Sequence, residues 1–177
     1  MGRGPLFSVL LLLACTVQAD ERALRLEDGG TLHYRIVEDG SESAQPVARK
    51  ILRYLAAGEL EEAALLSNAP KRRYEVLHDY LARVGEVEFK RVYGQYLFPE
   101  NRVVAEVAIG PRRLVIWDLG EAGHHLAAQY YVSVDGRFLM DDVPSEERLQ
   151  LRQVLRAFRA GGPEAQAPGA TSPARTD

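Results

Sequence analysis

Few side chains here are equipped for chemistry, and the histidines come first. His78 falls four positions after Tyr74 and three before Leu81. That spacing sets it at the edge of a buried helix face, where Tyr54 of a preceding helix can meet it. Proton abstraction needs a base in a water-poor pocket and a second polar group to hold the developing charge. His78 with Tyr54 or Tyr74 is the one inward set that would support such a proton transfer. The commoner role of such a boundary histidine is a satisfied hydrogen bond beside an apolar cluster. His124-His125 invites a metal reading, but adjacent strand residues point to opposite faces and cannot hold one ion. His33 lies on the polar face of a short hairpin and reads as solvated. Cys15 is the only cysteine, so neither an intrachain disulfide nor a thiol-rich metal site is available. There is no glycine-rich phosphate loop and no G-x-S-x-G. No metal and no cofactor is expected.

The first residues read as a targeting segment. Arg3 precedes an apolar run, Leu6 to Ala14, that is too short to span a bilayer, and Val17-Gln18-Ala19 places small residues where a signal peptidase reads. Residues 1–19 are then a signal peptide, and Asp20 begins the mature protein. A second reading stays open: Leu12-Leu13-Ala14-Cys15 resembles a bacterial lipobox, which makes 1–14 a lipoprotein signal and Cys15 the acylated first residue. Both readings export the protein to the periplasm, the second with anchoring at the outer membrane. Membrane contact is expected only through that lipid.

With 177 residues, 46% hydrophobic and 27% charged, the chain has the composition of one ordinary globular domain with tails. A net charge of -3 gives no concentrated pull toward phosphate backbones, so nucleic acid is not an expected partner. Residues 20–45 read as an N-terminal β-hairpin, turning at Asp28-Gly29-Gly30, and a linker. Helices are predicted from Pro46 to Gly58, from Glu59 to Leu66 and from Pro70 to Val84, the last with Lys71-Arg72-Arg73 in its first turn, the wrong sign for its dipole. A β-meander follows: Glu86 to Phe98, Arg102 to Ile109, Arg112 to Leu119, His124 to Val134 and, after Asp135-Gly136, Arg137 to Met140. Ser145 is placed to cap a last helix bearing Arg148, Arg152, Arg156 and Arg159 in a basic stripe. The domain thus spans 46–160, and 161–177 reads as a disordered tail. The fold class is α+β, helices packed on a curved antiparallel sheet.

This element order, closing on Tyr130 to Met140 with the Asp135-Gly136-Arg137-Phe138 turn, resembles the nuclear transport factor two-like, or ketosteroid-isomerase-like, cone-fold superfamily. The resemblance covers Pro46 to Val143 and implies a pocket between the helices and the concave sheet face. Alternation then puts Val103, Ala105, Val107 and Ile109, with Val115, Trp117, His124, Leu126, Ala128 and Tyr130, on the pocket side. Tyr54, Tyr74, His78, Trp117, His124 and Tyr130 are the ligand-pocket candidates. No acid falls among the inward positions of these strands, which counts against catalysis. The preferred reading is a non-catalytic exported module that binds a small apolar ligand or a protein partner. The alternative is an enzyme using His78. Leu114, Ile116 and Tyr131 read as an apolar patch on the opposite face, from which a homodimer is expected.

Overall fold

The computed structural model describes residues 20–120 and 125–161. An antiparallel hairpin, β1 (Asp20–Arg25) and β2 (Thr31–Ile36), leads into α1 (Gln45–Ala57), α2 (Leu60–Ala64), α3 (Pro70–Val84) and α4 (Glu86–Gly94). After a 3-10 turn, Gln95–Leu97, come β3 (Arg102–Ile109), β4 (Arg112–Asp118), β5 (Leu126–Val134), β6 (Arg137–Met140) and α5 (Glu146–Arg159). The strands form one curved, unclosed sheet in the order β1-β2-β3-β4-β5-β6, every neighbouring pair antiparallel. The fold class is α+β.

Local chemistry explains the boundaries. Proline occupies the first turns of α1 and α3, where its missing N–H costs nothing. Gly58, at φ 85°, ends α1 in the left-handed conformation and returns its N–H to the carbonyl of Leu55. Asp135 and Gly136, at φ 50° and 74°, make the tight turn that joins β5 to β6. Ser145 caps α5 by accepting the N–H of Arg148 at 3.2 Å.

The sheet is covered on both faces. On one, α1 to α4 bury Ile51, Leu52, Leu55, Leu77 and Phe89 against Val115, Trp117 and Tyr131. On the other, α5 lays Leu151, Val154 and Leu155 over Leu114, Ile116 and Val107, and the hairpin adds Leu24, Leu32 and Tyr34. β4 lies between the two cores, and Arg113, Leu114, Val115, Ile116 and Trp117 are all buried. No described helix is long and apolar enough to cross a membrane.

Two expectations about the meander are corrected. Residues 86–97 are helical where a strand was read from alternation. Phe89 and Tyr93 are four apart and pack at 4.8 Å between ring centroids, and Lys90 pairs with Glu86, also four apart, at 2.6 Å. Val87, which the alternation placed with Phe89, is 85% exposed. The phase of the strands also differs from the simple reading. Val103 pairs with Trp117 but Ala105 pairs with Ile116, leaving Val104 as the extra residue of a bulge. Beyond the bulge Ala105, Val107 and Ile109 face α5, while Glu106 faces the helices. On β5, Ala128 and Tyr130 join Ile116 and Leu114 on the α5 side, and Ala127 and Tyr131 lie with Trp117 on the other. The patch from which a homodimer was expected is therefore divided: Leu114 and Ile116 lie beneath α5, and Tyr131 is buried under the helices.

Cutting Leu151 to alanine opens space in the middle of the α5 layer and should cost about 2–5 kcal/mol. Leu149→Ala, at a position 59% exposed, should stay within about 0.5 kcal/mol. Urea denaturation of both variants reads the contrast; equal losses would mean that α5 is not a core element.

Candidate functional site

Apart from Asn101, which donates to the carbonyl of Gln95, the buried polar side chains among the described residues form two groups. The first centres on Glu106, which the bulge in β3 turns toward the start of α1. Its carboxylate accepts the Ser43 hydroxyl at 2.6 Å and the Ala44 N–H at 2.7 Å, and Ser43 Oγ in turn accepts the N–H of Gln45 at 3.1 Å. A carboxylate there satisfies otherwise open N–H groups and sits at the favourable end of the helix dipole. Arg113 comes within 4.0 Å, lies 5.2 Å from the Phe138 ring centroid and donates to the carbonyls of Gly110 and Arg112, both at 3.1 Å. Burial raises the Glu106 carboxyl above its ordinary range, while the Ala44 N–H, the Ser43 hydroxyl and Arg113 pull it back.

The second group is a knot at the end of β6. Asp141 accepts Nδ2 of Asn68 at 2.7 Å and Nε of Arg112 at 3.0 Å, and Arg112 reaches Glu147 of α5 at 3.0 Å. Asp142 accepts the Ser67 hydroxyl at 2.6 Å and Nε of Arg73 at 2.8 Å, and its N–H donates to Asn68 Oδ1 at 2.8 Å. The basic first turn of α3 is thereby explained in part: Arg73 is bound to Asp142, while Lys71 and Arg72 are exposed. Both groups join layers that sequence order separates. Every carboxylate oxygen just named has a donor in the protein itself.

The sequence candidates do not converge. His78 is 60% exposed on α3, its nearest carboxylate being that of Asp79 beside it at 3.9 Å, and its ring stacks on Tyr74 at 6.0 Å. Tyr54 packs at the edge of the helix-side core under Lys50. Trp117 is in that core, with Arg49 5.1 Å from its ring centroid and Tyr96 edge-on at 5.6 Å. Tyr130 lies on the opposite face, under α5. His124 and Cys15 fall outside the described residues, as do both signal readings and 162–177 of the tail. The expectation that no acid turns inward is corrected by Glu106, and the bulge is the reason.

A groove of about 330 Å³ lies between α2 and α3, lined by Glu61, Ala64, Leu65, Pro70, Lys71 and Tyr74. Leu65 stands 70% exposed at its rim. Sequence reading found Tyr74 but missed the groove, because the groove forms only where α2 and α3 lie side by side.

Comparison with family models, with curated proteins and with solved structures returns no match.

Glu106 supplies a test with a definite sign. Its carboxyl holds a proton more tightly in the folded chain than in the unfolded one, so its contribution to stability is greatest in acid and falls as pH rises through the raised folded value. Glu106→Gln retains an acceptor for Ala44 and can donate to Ser43, and should cost about 1 kcal/mol near the ordinary glutamate range. That cost should narrow as the pH is raised toward neutrality. Denaturation across a pH series measures it, and a cost that grows with pH would show a carboxylate stabilised by folding.

Proposed function

We propose that the chain is a non-catalytic, exported binding module that takes an apolar ligand, or an apolar side chain of a protein partner, in the groove between α2 and α3. The observation that carries this reading is Leu65, a large aliphatic side chain left 70% exposed beside a concave apolar surface. Such surface is costly to leave in water, and Glu61 and Lys71 at its edges offer one charge of each sign for orienting what binds. The resemblance to cone-fold proteins supports the same reading, because that fold serves binding modules as well as enzymes. The enzyme alternative is less favoured: His78 faces solvent, and both Glu106 oxygens are occupied by Ser43 and Ala44.

An apolar fluorescent probe, anilinonaphthalene sulfonate, should bind the native protein at one site and shift the amide resonances of Ala64, Leu65 and Tyr74. Leu65→Glu should abolish that binding and leave the fold intact, since the residue contributes little to the core. Probe binding that survives Leu65→Glu would reject the groove. Export is read from the first residue of the protein recovered from its native envelope: Asp20 or an acylated Cys15 is expected, and an intact Met1 contradicts it.

A further inference from the structure

The two outer strands of the sheet end differently. β6 is met on its outer side by the α2–α3 connection, where Met140 donates to the carbonyl of Leu66 at 2.8 Å and accepts the N–H of Asn68 at 3.0 Å. β1 is the other outer strand, and among the described residues nothing pairs with its outer side. The phase of the hairpin says which backbone groups lie there. Leu26 donates to the carbonyl of Gly30 at 2.8 Å, one step beyond the pair of Arg25 with Thr31, so along β1 the even-numbered residues bond to β2. The far side of β2 agrees, because there it is odd-numbered Val37, just past the strand, that donates to β3, at the carbonyl of Glu106, 2.9 Å away. Glu21, Ala23 and Arg25 therefore direct their N–H and C=O groups outward.

The side chains of these three residues share the exposed face of β1, while Leu24 is turned into the core beneath α5. Open edges are commonly guarded by charges that repel a copy of themselves. Here the signs run the other way, acid at the start of the strand and base at its end. In an antiparallel pair with a second copy, outward groups must meet outward groups, so odd-numbered residues face odd-numbered ones. Pairing about Ala23 sets Glu21 opposite Arg25 of the copy on both sides of the centre, with alanine against alanine between them. The neighbouring registers lack that match: about Arg22 the guanidinium meets its own copy, and about Leu24 the Glu21 carboxylate meets Glu27. Among the described residues neither Glu21 nor Arg25 forms an ion pair within its own chain.

We propose that β1 is a contact between two copies of this chain, pairing antiparallel with β1 of the second copy about Ala23 and joining the two six-stranded sheets edge to edge. The contact is separate from Leu114, Ile116 and Tyr131, which the helices cover. The α2–α3 groove has no β1 residue in its lining, so each copy keeps its own.

The test uses the protein as its host produces it, followed by sedimentation velocity over a concentration series. The parent should pass from monomer to dimer as concentration rises. Ala23→Pro removes the central outward N–H, which makes no bond to β2, and should abolish the dimer. Glu21→Arg and Arg25→Glu each set like charges opposite one another and should raise the dimer dissociation constant about tenfold. Combining the two restores opposite signs and should return the constant to within about twofold of the parent. Such recovery cannot come from a damaged hairpin, since both substitutions remain in place. A parent that stays monomeric at the highest concentration, a dimer that survives Ala23→Pro, or a double variant as weak as the single ones overturns the proposal.

Discussion

The constraint on which the rest of the structure depends is that its sheet is apolar on both faces. A strand such as β4, buried along Arg113 to Trp117, cannot stand with one side in water. The helices that precede the meander cover one face, and a further helix at the end of the chain must cover the other. α5 answers that need with Leu151, Val154 and Leu155, and the hairpin extends the same cover with Leu24, Leu32 and Tyr34. Burial of this apolar area is the dominant favourable term, and the polar groups trapped with it must find partners inside.

Those partners set where function can reside. Glu106 is bound to the start of α1, and Asp141 and Asp142 bind the α2–α3 connection and β4. Carboxylates occupied in this way fix how the layers sit, and they leave no free base beside a cavity at either place. On the outside lies the apolar groove lined by Leu65, Pro70 and Tyr74.

Much of the architecture was legible because it is written in local chemistry. Gly58, Pro70, Ser145 and the Asp135-Gly136 turn each act on the few residues beside them, and the elements they bound fall where the residues indicate. Residues 86–97 were misread because Glu-Val-Glu-Phe-Lys-Arg-Val-Tyr satisfies alternation and helical spacing together, and only the packing of Phe89 and Tyr93 on Tyr80 decides between them. The face assignments in β3 failed for a different reason. One extra residue at Val104 reverses the phase of everything after it in β3, and nothing in the local sequence announces it. The inward turn of Glu106 and its meeting with Ser43, 63 residues earlier in the chain, follow from that bulge. The candidate site was less legible still, since the groove needs two helices placed side by side.

Native-state hydrogen exchange tests most directly the claim that both layers are needed to hold the sheet. The account predicts that the amides of β4 exchange only through global unfolding, and that the central amides of α5, around Leu151 to Leu155, exchange at the same free energy as those of α1. If the α5 amides instead exchange through a low-energy opening that leaves β4 fully protected, the second face does not need its cover and the account is contradicted.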